Sequence, residues 1–322
     1  MKIKFSQDTI VFFLFVISFV GLSVFLDGFL SVGNVLTLLR SVSVLGILGV
    51  GMAIVVIGRG IDLAMISNMV IWSAFALYLA NLGYPVGICF LIGLALALIS
   101  GVVSGILVAY VEIPALFATL ALGTTIYGLG RYFLVPTDVI YLPPNIGVWE
   151  DLGKGFILGV PVPIVVAGAI TVLAYLFLRY SKYGLFIYAL GDNFASGRIA
   201  GISVRNIQVL QYVISALVAY IAGLLTATSV SSINTRIVNS TMIYDVILVV
   251  VLGGVGLSGG KGGVRNVLVG TLLIGTVLNG MTIMDVPFTA QNIFKGMILL
   301  AAIVIDTIVN PRDEQTAQQG DI

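Results

Sequence analysis

The chain has 322 residues, 59% of them apolar and 9% charged, with a formal net charge of +1. An average soluble domain is roughly 45–50% apolar and about 25% charged, so this composition describes a membrane protein and leaves no room for a soluble catalytic domain. The near-neutral balance points to neither nucleic acid nor an acidic partner. A lone cysteine, Cys89, excludes an intrachain disulfide and a structural zinc cluster, and the absence of histidine removes the side chain most used for acid–base chemistry and metal ligation near neutral pH. No cofactor and no metal is expected.

Apolar runs of ~20 residues, each able to cross the ~30 Å hydrocarbon core as a helix, recur along the chain. In order they cover 9–26, 33–57, 63–82, 85–110, 114–134, 161–178, 206–230, 241–257, 264–283 and 289–309. The first follows Met1-Lys2-Ile3-Lys4 and superficially suits a signal peptide. Its apolar core exceeds the ~7–15 residues of such segments and no small-x-small cleavage site follows, so it reads as a retained span. Breaks fall at Pro85, Pro114, Pro161, Pro287 and the Gly58/Gly60 pair, where a helical ladder is interrupted. The expected fold is all-α: one polytopic membrane domain over 1–322 with about ten transmembrane helices, some broken at Gly or Pro.

Lysine and arginine favour cytoplasmic loops. With an inside start, the inner segments hold Lys2, Lys4, Arg59, Arg179, Lys182, Arg198, Arg205, Lys261, Arg265 and Arg312, the outer ones only Arg131, Lys154 and Arg236. Both termini are therefore expected in the cytoplasm, the C-terminal tail at about 310–322 included. The outer loop 135–160 carries Asp138, Glu150, Asp151 and several aromatics; it reads either as a docking surface or as an interfacial loop with aromatics at headgroup level. The inner segment 181–205 is polar and basic and contains a helix-compatible piece, 193–200, behind a cap at Asp192 or Asn193.

The stretch "VVLGGVGLSGGKGGVR" (250–265) invites a nucleotide-loop reading. A Walker A loop is G-x-x-x-x-G-K-[ST], with the hydroxyl on magnesium; here Gly262 follows Lys261 and Val255 stands five before Gly260. It also joins two membrane spans rather than a strand and a helix. Its glycines read instead as a close-packed, broken connection. "VVIGRGIDL" (55–63) echoes it on the same side, and paired Gly-interrupted segments are where transporters place their pathways.

Four blocks, "VVIGRGIDLAMIS" (55–67), "IPALFATLALGTTIYGLGRYF" (113–133), "YGLFIYALGDNFASGRIAGI" (183–202) and "VVLGGVGLSGGKGGVRNVLVGTLLIG" (250–275), stand in family order. Together they resemble the integral membrane permeases of bacterial ribose-type ABC importers, a group that extends to xylose, galactose and other small solutes, with nucleoside permeases as distant relatives. The resemblance implies a paired second permease subunit, an extracytoplasmic solute-binding protein and a separate cytoplasmic ABC ATPase, all at the lipid bilayer. It implies that the G-x-N-x-x-A element followed by G-I contacts the ATPase; the matching positions are Gly191, Asn193, Ser196 at the alanine spacing, Gly201 and Ile202, with Arg198 among them. The chain departs from the pattern at Arg59, where the family often has glycine, at 64–67, at Phe194 and at Ile243. The expected function is permease subunit for a sugar or related polar solute, not an enzyme. The alternatives are a nucleoside permease of the same superfamily and an ATP-independent secondary transporter.

A mid-membrane charge costs roughly 2.5–3.5 kcal/mol on insertion scales. Lys295 and Asp306 lie near span ends and can snorkel, too far apart to pair with each other. Arg40 and Asp245 sit a turn or two inside their spans; they either pair with one another or line an outward vestibule. Asp62 reads chiefly as a helix cap. A neutral sugar needs hydrogen-bonding and aromatic faces, so the pathway candidates are Arg40, Asn68, Thr119, Thr124, Tyr127, Asp245, Asn279 and Gln291, each also readable as an interhelical hydrogen bond.

Overall fold

A computed structural model describes residues 7–144 and 146–309, so Lys2, Lys4, Arg312 and the tail at 310–322 lie outside the described residues. Helices dominate: α1 Gln7–Phe25, α2 Val32–Ile57, α3 Met65–Asn81, α4 Val86–Ala109, α5 Ala115–Leu129, α6 Asp151–Lys154, α7 Val162–Tyr180, α8 Lys182–Asp192, α9 Phe194–Ile199, α10 Val204–Ser229, α11 Met242–Gly253, α12 Val264–Ile283 and α13 Phe288–Val309. Seven of these, α1, α2, α4, α7, α10, α12 and α13, are long and apolar enough to cross a membrane. Each remaining expected span also meets a helix, though a shorter one. At ~1.5 Å per residue the 12 residues of α11 rise only about 18 Å, so the run expected to 257 ends early, at the left-handed Gly254 with φ 98°. The 15 residues of α5 continue into a π-helical turn, Gly130–Leu134.

Composition alone does not say which apolar helix is inside. α2 is apolar on every face and 72% of its apolar window is buried, whereas α1 is equally apolar and only 6% buried. A helix apolar all round needs either protein or lipid about it. α2, α3 and α10 make the core, with Met52, Ile54, Met69, Leu77 and Ala219 in one apolar cluster. α1 leans on α12 through Val11, Val269 and Leu273 and turns Ile17, Val24 and Phe25 outward, an apolar surface that belongs against lipid.

Connections gather at two ends. At one, 135–161 and 230–241 meet: β1 Val139–Tyr141 pairs antiparallel with β4 Ser232–Asn234, and Asp138 takes ion pairs from both Arg131 and Arg236 at 2.6 Å. A hairpin, β2 Phe156–Ile157 and β3 Val160–Pro161, turns at Leu158 and Gly159, both at positive φ as a two-residue turn of this hand requires. These short strands are the part of the fold that the apolar pattern does not announce. At the opposite end lie 58–64, 110–114, 181–203 and 254–263.

Candidate functional site

The segment expected to meet an ATPase is two helices rather than one. Ser181 caps α8, its side chain accepting from the Gly184 amide. Asn193 then interrupts the helix and caps α9, accepting from the Ser196 amide at 2.9 Å. α9 is closed at its other end as well. Gly201, at φ 77°, donates its N–H to the Arg198 carbonyl and Ile202 donates to Gly197, the paired bonds of a Schellman cap. Gly201 and Ile202 thus have a physical reason: a left-handed residue, then an apolar one folding back. Ser196, Arg198 and Ile199 stand exposed, Ile199 at 88%. Arg205 is engaged elsewhere, 2.8 Å from Glu112 and stacked over Tyr110.

Gly191, the last residue but one of α8, is buried where three backbones meet. A Cβ there would run into the Ile57 carbonyl and the Gly260 amide. The two glycine breaks that echo one another in the sequence are in contact, the Gly260 N–H donating to the Ile57 carbonyl at 2.8 Å. Tyr188 of α8 donates to the Gly262 carbonyl at 2.8 Å, and burial pushes its phenol above the ordinary pKa. Asp62 lies two residues before the N-cap position of α3, Ala64, and its Oδ1 accepts from the Ala64 amide at 3.0 Å. Its Oδ2 also accepts from Ser215 of α10 at 2.6 Å.

The pathway candidates scatter. Asn68, fully buried on α3, accepts from Trp72 and from Ser100 of α4. Thr119 is buried, accepts from the Leu63 amide at 3.0 Å and so ties α5 to the first break. Asn279 and Asn34 exchange two amide hydrogen bonds at 2.9 and 3.0 Å. Gln291 donates to the Val286 carbonyl at 3.0 Å. Thr124 is exposed on α5 and Tyr127 half-buried. Arg40 does not pair with Asp245: it lies 5.8 Å above the Phe156 ring, while Asp245 is bound by Lys295 at 2.8 Å, both largely buried. The pairing missed Lys295 because two positions 50 apart on short and long helices cannot be brought together by spacing alone. Asp306, at the other end of α13, accepts from the Leu257 amide at 3.1 Å.

The family described as the permease component of branched-chain amino acid transport systems matches residues 34–303. The chain is 31% identical to the ribose import permease protein RbsC of Haemophilus influenzae over 88% of each chain. It is 29% identical to the galactofuranose transporter permease protein YtfT of Escherichia coli over 85% of this chain and 80% of that one, and 29% identical to the xylose transport system permease protein XylH of Haemophilus influenzae over 88% and 92%. No solved structure matches. With the match running from the start of α2 into α13, and with the multi-pass apolar helices around it, the chain belongs to this family of membrane permease components.

Proposed function

We propose that the chain is the permease subunit of an ABC importer that passes a sugar or related small polar solute across the inner membrane, powered by an ATPase on another chain. The observation that carries this reading is α9, a helix capped at both ends that follows directly on the end of α8, where Gly191 is packed against both glycine breaks. That is the place for a partner to push. The substrate class comes from the relatives, which are named for ribose, galactofuranose and xylose.

In this reading ten helices cross, with α3, α5 and α11 as the short or broken ones, both termini are cytoplasmic and the α9 end faces the ATPase. The end held by Asp138 faces the solute-binding protein. A second permease subunit completes the pathway.

Reconstitution tests the proposal. Uptake of labelled pentose or hexose into proteoliposomes is expected only with ATP, the ATPase and the binding protein present; uptake by this chain alone on an ion gradient would refute it. Arg198→Glu is expected to weaken ATPase binding about tenfold, as loss of one charge-assisted contact does, and Arg205→Glu less, since Arg205 serves Glu112.

A further inference from the structure

Arg59 occupies a left-handed backbone conformation, φ 66°, which disfavours any residue with a Cβ. The conformation persists only if the surroundings hold it. Its Nε donates to the Gly191 carbonyl at 2.7 Å and to the Ser258 carbonyl at 3.0 Å, and its Nη2 donates to the Asp192 carbonyl at 2.6 Å. Gly191 and Asp192 are the last residues of α8, directly before the Asn193 cap of α9. Ser258 lies in the break between α11 and α12, and Arg59 itself lies in the break between α2 and α3. One side chain therefore links its own segment to two others that are far away in sequence. Its planar fork suits this task, whereas a lysine offers one flexible ammonium.

The backbone around it leaves little slack. A Cβ at Gly259 would collide with the Arg59 side chain, and one at Gly260 would lie 2.8 Å from the Asp192 amide nitrogen. Three residues after Arg59, the first break is held again, because Ser215 of α10 donates to Asp62. A displacement of the end of α8, from which α9 springs, that left Arg59 behind would break its bonds to both Gly191 and Asp192.

We infer that Arg59 is a positioning residue of the transport cycle: it ties the root of α9 to both glycine breaks, so that α9 and the two broken connections move as one body. The inference rests on the reading of α9 as the ATPase-docking element.

The test uses the full chain assembled with its ATPase in nanodiscs, with spin labels on Ser196→Cys and Lys261→Cys, both exposed positions. The distance between labels is read without nucleotide and with ATP. One narrow distribution is expected in both states. In Arg59→Gly, which relaxes the left-handed residue, and in Arg59→Lys, which keeps the charge, the distribution is expected to broaden and to differ between states. Stimulation of ATP hydrolysis by the binding protein is expected to fall about fivefold or more, with the amount of bound ATPase unchanged. Unaltered distributions and unaltered stimulation in both variants would overturn the inference. The docking reading fails by a different sign, full ATPase binding by Arg198→Glu, and in that event the label distances in the chain alone still report whether Arg59 joins the two segments.

Discussion

The two glycine breaks look alike in sequence and are built differently. The first, 58–64, has one residue at positive φ, Arg59, and is buried or half-buried throughout. Side chains grip it from three helices or their ends: Ser215 on Asp62, Thr119 on the Leu63 amide, and the Arg59 fork on α8. The second, 254–263, has four glycines at positive φ, 254, 259, 260 and 262, and exposes Lys261. It is bonded along its length, mostly through its own backbone: the Leu257 amide donates to Asp306, the Gly260 N–H to the Ile57 carbonyl, and the Ser258 and Gly262 carbonyls accept from Arg59 and Tyr188. Glycine carries the greatest backbone freedom, so the first break is held through its side chains and the second fits its neighbours through its backbone.

Three substitutions break or sharpen this contrast. Gly191→Ala should cost the most, about 3 kcal/mol, because the added methyl meets backbone on both breaks rather than a side chain able to move. Thermal unfolding in detergent should fall accordingly, and amide exchange should rise in 57–62 and 256–262 together. Ser215→Ala comes next at about 2 kcal/mol, the cost of removing a donor from a buried carboxylate. Exchange should then rise most in 60–65, the segment that Asp62 anchors, and less in 254–263. Gly254→Ala should cost least, about 1 kcal/mol, for forcing an L-residue into the left-handed region. Its effect should stay within the second break and slow solute uptake more than it lowers stability.

Much of this was legible in the residues. The apolar runs located the long helices, and the glycines were readable as close packing rather than as a phosphate loop. The G-x-N spacing marked α9, and Asn193 proved to be the cap. What local pattern does not carry is which apolar helix is wrapped by others, since α1 and α2 differ in neighbours rather than in composition. Nor does it carry long-range pairing. Lys295 and Asp245, Asn34 and Asn279, and Asp62 and Ser215 each join distant helices, so a polar residue in a span could be noted as a candidate but not matched with its partner. Arg59 stood out as a departure from the family pattern, and only the fold connects that departure to the carbonyls of Gly191, Asp192 and Ser258. The strand pairing of 139–141 with 232–234 was invisible because three-residue strands leave no alternation to detect.

The double capping of α9 bears on how subunits find each other. An isolated helix of six residues is not stable in water, yet this one is closed by Asn193 before it and by Gly201 and Ile202 after it. On the proposed docking role, an incoming ATPase would meet a surface whose shape is already set, with no segment to order on arrival. Association of that kind avoids the entropic cost of folding on contact, so its speed is governed by orientation and by the charge of Arg198 rather than by waiting for the right conformation.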